Sequence, residues 1–281
     1  MSNISAADVK TLREKTGAGM MDCKKALSEA DGDMDKAIEL LRKQGQKVSE
    51  KRAGREANEG LIVTKISDDA HKAAALELNC ETDFVARNEE FQENAQQFLD
   101  LVFENGLNSV SNLLEYNVDG ITVNERLKEL VGKIGEKITI NRSVYIENEG
   151  SIVSYIHPGN QLGVLVTFED DLPDLELGRN VAMQVAAMNP VAVNRDGVDS
   201  EMIEQERQIA KDQLLNEGKP EHIAEKAAEG KLNRFYEEKV LLEQKYVKDN
   251  SLTVKQYLEN NNAPLVKEFW RMQLGEEVDS Q

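Results

Sequence analysis

The octet Glu59-Gly-Leu-Ile-Val-Thr-Lys-Ile66 returns ninety residues later as Glu149-Gly-Ser-Ile-Val-Ser-Tyr-Ile156, with the Glu, Gly, Ile, Val and final Ile identical. Each copy is rich in β-branched residues and reads as a strand. Each is followed by a turn, a second strand (72–79; 161–168) and a helix (about 88–103; 175–188). A chain that repeats this order of elements is constrained to two related α+β halves, each an antiparallel hairpin carrying helices.

What flanks the repeats follows from local signals. Residues 1–45 read as three short helices: Ser5 caps the first, Thr16-Gly17-Ala18-Gly19 breaks it, Asp31-Gly32 ends the second, and Asp33 caps the third, with Gly45 just past its end. Three such helices bury only a small core, and their size and pattern resemble a ubiquitin-associated-type bundle. A charged linker, 46–59, has no long apolar face. The core halves are read as 60–145 and as 146–197 with 239–262. Inserted into the second half, 198–238 holds two polar helices joined by Gly218-Lys219-Pro220, an antiparallel hairpin. Its seam is expected to set Met202, Ile203, Ile209 and Leu214 against Ile223, Ala227 and Leu232. That hairpin can pair with a second subunit in a homodimer or project into solvent. A C-terminal module is assigned to 263–281, where alternation favours a strand.

The chain has 281 residues and a net charge of −18, so nucleic-acid phosphates repel it unless a basic patch forms. The one basic run, Lys47 to Arg55, is interrupted by glutamate and reads as a solvated linker. A protein partner is expected, with no direct nucleic acid. No apolar run reaches the ~20 residues that span a bilayer, the N-terminus lacks a signal-peptide pattern, and Cys23 and Cys80 have no CxxC spacing. These features place the chain in a reducing cytoplasm, away from membranes. No phosphate loop, HExxH or GxSxG occurs, and neither a metal nor a cofactor is expected. His71 and His157 fall in corresponding turns of the two repeats without the spacing of metal ligands.

The segment Asn79-Cys-Glu-Thr-Asp-Phe-Val-Ala-Arg-Asn-Glu-Glu-Phe91 has two readings. Phe84 lies seven residues before Phe91 and extends the stripe of Phe91, Ala95, Phe98 and Val102, which makes it core. Asn88, however, is a good N-cap; if the helix starts there, 82–87 is a turn and Phe84 sits on its tip. For His157-Pro158-Gly159 the plain reading is a hairpin turn.

Three stretches carry a resemblance that covers essentially the whole chain: the segment from Leu12 to Gly45, that from Glu77 to Phe91, and Tyr155-Ile-His-Pro-Gly-Asn-Gln-Leu-Gly-Val-Leu-Val166. The chain resembles the bacterial elongation factor Ts family, exchange factors that release GDP from elongation factor Tu without covalent chemistry. The resemblance implies the architecture above and a set of partner contacts. Thr82, Asp83, Phe84 and Val85 fall on the segment that inserts near the partner's magnesium site. Ile134 and Gly135 fall on a contact turn, His157 on the residue facing the partner's phosphate loop, and Met20, Met21 and Lys24 on the docking face of the N-terminal module. Residues 246–248 align less well. An adaptor acting through the N-terminal bundle is the alternative function, and an enzyme using Cys80 or His157 a further one.

Overall fold

The computed structural model describes residues 4–276. It is an α+β protein with mixed helices and antiparallel strands, and it folds as two compact units. Of the described residues, the first comprises 4–63, Ala74–Tyr145 and 274–276; the second comprises Thr64–Ala73 and Ile146–Gln273.

The first unit opens with α1 (Ala6–Thr16), α2 (Met20–Glu29) and α3 (Met34–Arg52). Ser5 and Asp8 form a reciprocal capping box on α1, and the Asp33 carboxylate caps α3. The three helices bury Val9, Leu12, Cys23, Ala26, Leu27 and Ala37. Helix α3 does not end at Gly45 as the sequence reading has it; it runs on to Arg52, through the first half of the expected linker. Gly45 is buried, and a Cβ built on Gly132 of α7 (Val123–Ile134) would lie 2.5 Å from its Cα. Two glycines let these helix backbones touch, and Val48, one turn on, packs on the first core. Tertiary contact thus overrides a local stop signal.

Strands β1 (Glu59–Ile66) and β2 (Lys72–Cys80) continue into α4 (Asp83–Ala86), α5 (Glu89–Asn105) and α6 (Val110–Glu115). A two-residue pair, β3 (Asn117–Val118) and β4 (Ile121–Thr122), leads into α7, and β5 (Ile138–Glu147) completes a sheet of order β1-β2-β5. Leu76 and Leu78 of β2 meet Phe91, Phe98, Leu99 and Leu130 in the core of this unit.

The second unit repeats the plan. Strands β6 (Ile152–Ile156) and β7 (Leu162–Phe168) pair antiparallel, Val153 opposite Val166, and α8 (Leu175–Met188) packs on them. The inserted hairpin is α9 (Ser200–Asn216) and α10 (Glu221–Lys239). Its seam is made of Ala210, Leu214, Ala224 and Ala228, whereas Met202, Ile209 and Ile223 are exposed. Small alanines let the two helices approach closely; of the side chains expected in the seam, Leu214 and Ala227 lie in it and Leu232 is buried, while Met202, Ile209 and Ile223 turn outward and Ile203 packs by Val198 and Val240.

Beyond the hairpin, β8 (Lys245–Tyr246) and β9 (Asp249–Thr253) precede α11 (Val254–Asn260) and β10 (Val266–Gln273). Strand β10 is the outer strand of the sheet β10-β7-β6, with Trp270 opposite Leu165. This corrects the expected separate C-terminal module: its strand completes the second half, while residues 277–281 lie outside the described part. The duplication therefore runs further than the octets. Thr122 and Thr253 each close a small hairpin, each forms a capping box with the residue three positions on, and each helix leads into the third strand of its sheet.

Candidate protein-docking site

At the corner after β2, Thr82 caps the single turn of α4, its hydroxyl accepting the N–H of Val85. The chain then breaks at Arg87, and Asn88 caps α5 by accepting the N–H groups of Glu90 and Phe91. Because α4 and α5 are separate helices, the seven-residue spacing from Phe84 to Phe91 no longer places both on one face. Phe91 is fully buried, Val85 packs on the first core, and Phe84 is 81% exposed. Of the two sequence readings, the exposed tip holds. Asp83 stays beside it, paired with Arg87 at 3.0 Å.

The backbone leading into this corner is fixed from both sides. Glu136 accepts from the Thr82 N–H at 3.1 Å and from its hydroxyl at 2.7 Å. Glu81 accepts from the Lys137 N–H at 2.6 Å, from Arg52 at 2.7 Å and from Arg55 at 2.9 Å. Burial pushes the Glu81 carboxyl up, but these hydrogen bonds and charges outweigh it and hold the group at about 2. Sequence reasoning missed both carboxylates and treated Arg52 and Arg55 as linker. Their only signal was the charge of the run itself, since the pairing spans 26 to 29 residues.

Glu136 directly follows Ile134 and Gly135, so it brings the two predicted contact turns together. Gly135 ends α7 at φ 80°, a left-handed conformation that favours glycine, and its N–H bonds Val131 O at 2.8 Å. Ile134 is half-buried on the first core. Lys133 pairs with Glu90, tying α7 to the start of α5. On α2, Cys23, Ala26 and Leu27 face inward while Met20 and Met21 are 59% and 74% exposed, with Lys24 also exposed.

In the second unit, His157 opens the β6–β7 turn. Its N–H bonds Leu162 O, its carbonyl accepts from Asn160, and its exposed ring meets the Tyr155 hydroxyl at 3.0 Å. His71 is not its counterpart: Ser67 makes the same two turn bonds, and His71 stands at the other end of its turn. His71 is committed to Asp171 at 2.9 Å, and that carboxylate raises its pKa. Among the described residues no group of three His, Cys, Asp or Glu could hold a metal ion, and no helix is long and apolar enough to cross a membrane. Cys80 is buried, donates to Thr82 O at 3.2 Å, and has its thiol pushed up to about 12 chiefly by that burial, which is the opposite of an activated nucleophile. In the 246–248 tract, Tyr246 is buried and stacks on Tyr257, while Val247 is half-exposed at the tip between β8 and β9.

The family model described as Elongation factor TS matches residues 81–276. Proteins called Elongation factor Ts are similar along nearly their whole length. That of Amoebophilus asiaticus is 49% identical over 97% of this chain and 99% of its own. That of Prosthecochloris aestuarii is 48% identical over 98% and 100%, and that of Aquifex aeolicus 46% over 97% and 98%. With a family match over most of the chain and relatives near half identity from end to end, this chain belongs to the elongation factor Ts family.

Proposed function

We propose that the chain is a cytoplasmic exchange factor that docks on elongation factor Tu and speeds the loss of its GDP. The observation that carries this reading is Phe84, an aromatic side chain left 81% exposed at a corner whose backbone is held by two carboxylates. A large aromatic side chain held out on a hydrogen-bonded turn is suited to insertion into a partner, where such residues supply binding energy. Phe84 acts as the wedge, and Asp83 perturbs the partner's magnesium environment, which holds the nucleotide's phosphates electrostatically. His157 reaches the phosphate-loop side. Thr82, Val85, Ile134 and Gly135 shape the contact, and Met20, Met21 and Lys24 anchor the N-terminal module. No bond in protein or nucleotide changes.

Thermodynamics assigns the labour. The factor weakens GDP only as much as GDP weakens the factor. A ten-thousandfold effect needs about 5.5 kcal/mol of coupling, whereas burying one phenylalanine supplies roughly 1.5–3 kcal/mol. Docking is therefore spread over many contacts, with Phe84 contributing where the two states differ. The adaptor alternative gains nothing from the fold, because α3 packs its Gly45 against α7 rather than ending a free-standing bundle. Release of a fluorescent GDP from elongation factor Tu, followed with and without the chain, is the test. Acceleration that saturates with added chain is expected, and an unchanged release rate removes the proposal.

A further inference from the structure

The corner that presents Phe84 is held by a reciprocal pair of carboxylates. Glu81 lies on the strand side of the corner and grips the backbone N–H of Lys137; Glu136 lies on the opposite loop and grips the backbone N–H and hydroxyl of Thr82. Each glutamate thus holds the residue beside the other, closing a ring around two adjacent backbone segments. Because carboxylates accept these bonds from backbone, hydroxyl and guanidinium donors, the links are charge-assisted, and all but the 3.1 Å bond from the Thr82 N–H lie between 2.6 and 2.9 Å. The ring is also anchored outside itself. Arg52, the last residue of α3, and Arg55 bind the two oxygens of Glu81, and the Lys137 ammonium binds the carbonyl of Arg55 at 2.7 Å. Within the first unit, the end of the helix that carries the N-terminal module is therefore bonded to the same carboxylate that fixes the strand end.

We infer that Glu81 and Glu136 are positioning residues for nucleotide exchange, holding the Thr82–Phe84 turn and the Ile134–Gly135 turn in one fixed arrangement. This rests on the exchange reading above and deepens it. Neither glutamate needs to touch the partner. Phe84 has no packing of its own to hold it, so its direction is set by the backbone of α4, and that backbone is set at Thr82. A wedge must arrive in a defined orientation to discriminate between two states of its target, and a freely turning one spends its binding energy on ordering. Loosening the ring at Glu136 leaves Arg52 bonded to Glu81 and Met20, Met21 and Lys24 to dock as before, and removes the discrimination.

The test has two readouts in the full chain. In a Trp270→Phe background, Phe84→Trp reports side-chain mobility by steady-state anisotropy, and Glu81→Ala or Glu136→Ala is added to it. In the otherwise unaltered chain, the same glutamate variants are titrated against elongation factor Tu loaded with fluorescent GDP. Expected are a clear fall in anisotropy and a maximal stimulated release rate lower by about tenfold, as for misplacement of a reacting group. The concentration at half-maximal stimulation stays within about threefold, since docking is spread over other contacts. Glu136→Gln, which keeps one acceptor, restores part of both effects. Arg55→Gln, at a side chain 59% exposed, gives a milder variant of the same kind should an alanine variant fold poorly. Unchanged anisotropy, or an unchanged maximal rate, in the folded variants overturns the inference. If Phe84→Ala itself leaves the maximal rate untouched, it is the wedge reading that fails, and the anisotropy arm still decides whether the ring holds the corner.

Discussion

Replacing Glu81 by Gln keeps the shape of the side chain and removes the charge that Arg52, Arg55 and the Lys137 N–H converge on. In the folded protein the carboxyl sits at about 2, against an ordinary value of 4.5, because these partners outweigh the opposing effect of burial. A folded value below the unfolded one means that the stabilisation is fully present above about pH 4.5 and is lost as the pH falls through about 2. At roughly 1.4 kcal/mol for each pH unit of that gap, the linkage is worth about 3 kcal/mol. Arg55 is more than half exposed, so solvent screening brings the figure nearer to 2 kcal/mol. Urea unfolding of both proteins, followed by circular dichroism at several pH values, isolates this one group because all other carboxyls are common to the pair. The stability difference should be about 2 kcal/mol between roughly pH 5 and 7 and should shrink steadily below pH 4. A difference that stays constant down to about pH 2.5, or widens, would refute the assignment of the charge network to Glu81.

Two further outcomes follow from the core. Gly132→Ala would set a Cβ 2.5 Å from the Cα of Gly45, well inside the ~3.5–4.0 Å of an ordinary carbon contact, so α3 and α7 must part. Overpacking of about 1–3 kcal/mol exceeds the helix-propensity gain of at most about 1 kcal/mol. At Gly45 the tightest contact is 3.1 Å, so Gly45→Ala should lower the melting temperature less, and the reverse ranking would contradict the packing described. Cys23 and Cys80 are both fully buried and Cys80 titrates near 12, so a thiol reagent at neutral pH should modify neither until urea is added. Rapid modification of the native chain would reopen a reactive role for Cys80.

How much of this was legible beforehand depended on how local each signal was. The octet repeat, the Asn88 cap and the breaks at Gly17 and Gly218 are written in a few adjacent residues, and the elements they mark are present. Gly45 carries the same letter as a stop signal, but its meaning is set by Gly132, far along the chain, and it lies inside α3. The partners of Arg52 and Arg55 are equally remote, so a clamp looked like a linker. The hairpin seam was legible in part: Leu214, Ala227 and Leu232 lie inward as the periodicity suggests, whereas Met202, Ile209 and Ile223 are left outside because the helices meet largely through alanines. Strand β10 was visible as a strand, yet its place beside β7 depends on a pairing across the whole second half. For Phe84 the periodicity favours the core and the Asn88 cap the exposed tip, and the break at Arg87 decides between them.

Phe84→Ala puts the central claim to its most direct test. With 81% of the side chain exposed, its removal should change stability by less than about 0.5 kcal/mol. In stopped-flow release of fluorescent GDP from elongation factor Tu at saturating factor, the stimulated rate should fall by about tenfold or more, a rise of roughly 1.4 kcal/mol in the release barrier. Full stimulation by a stably folded Phe84→Ala chain would contradict the account.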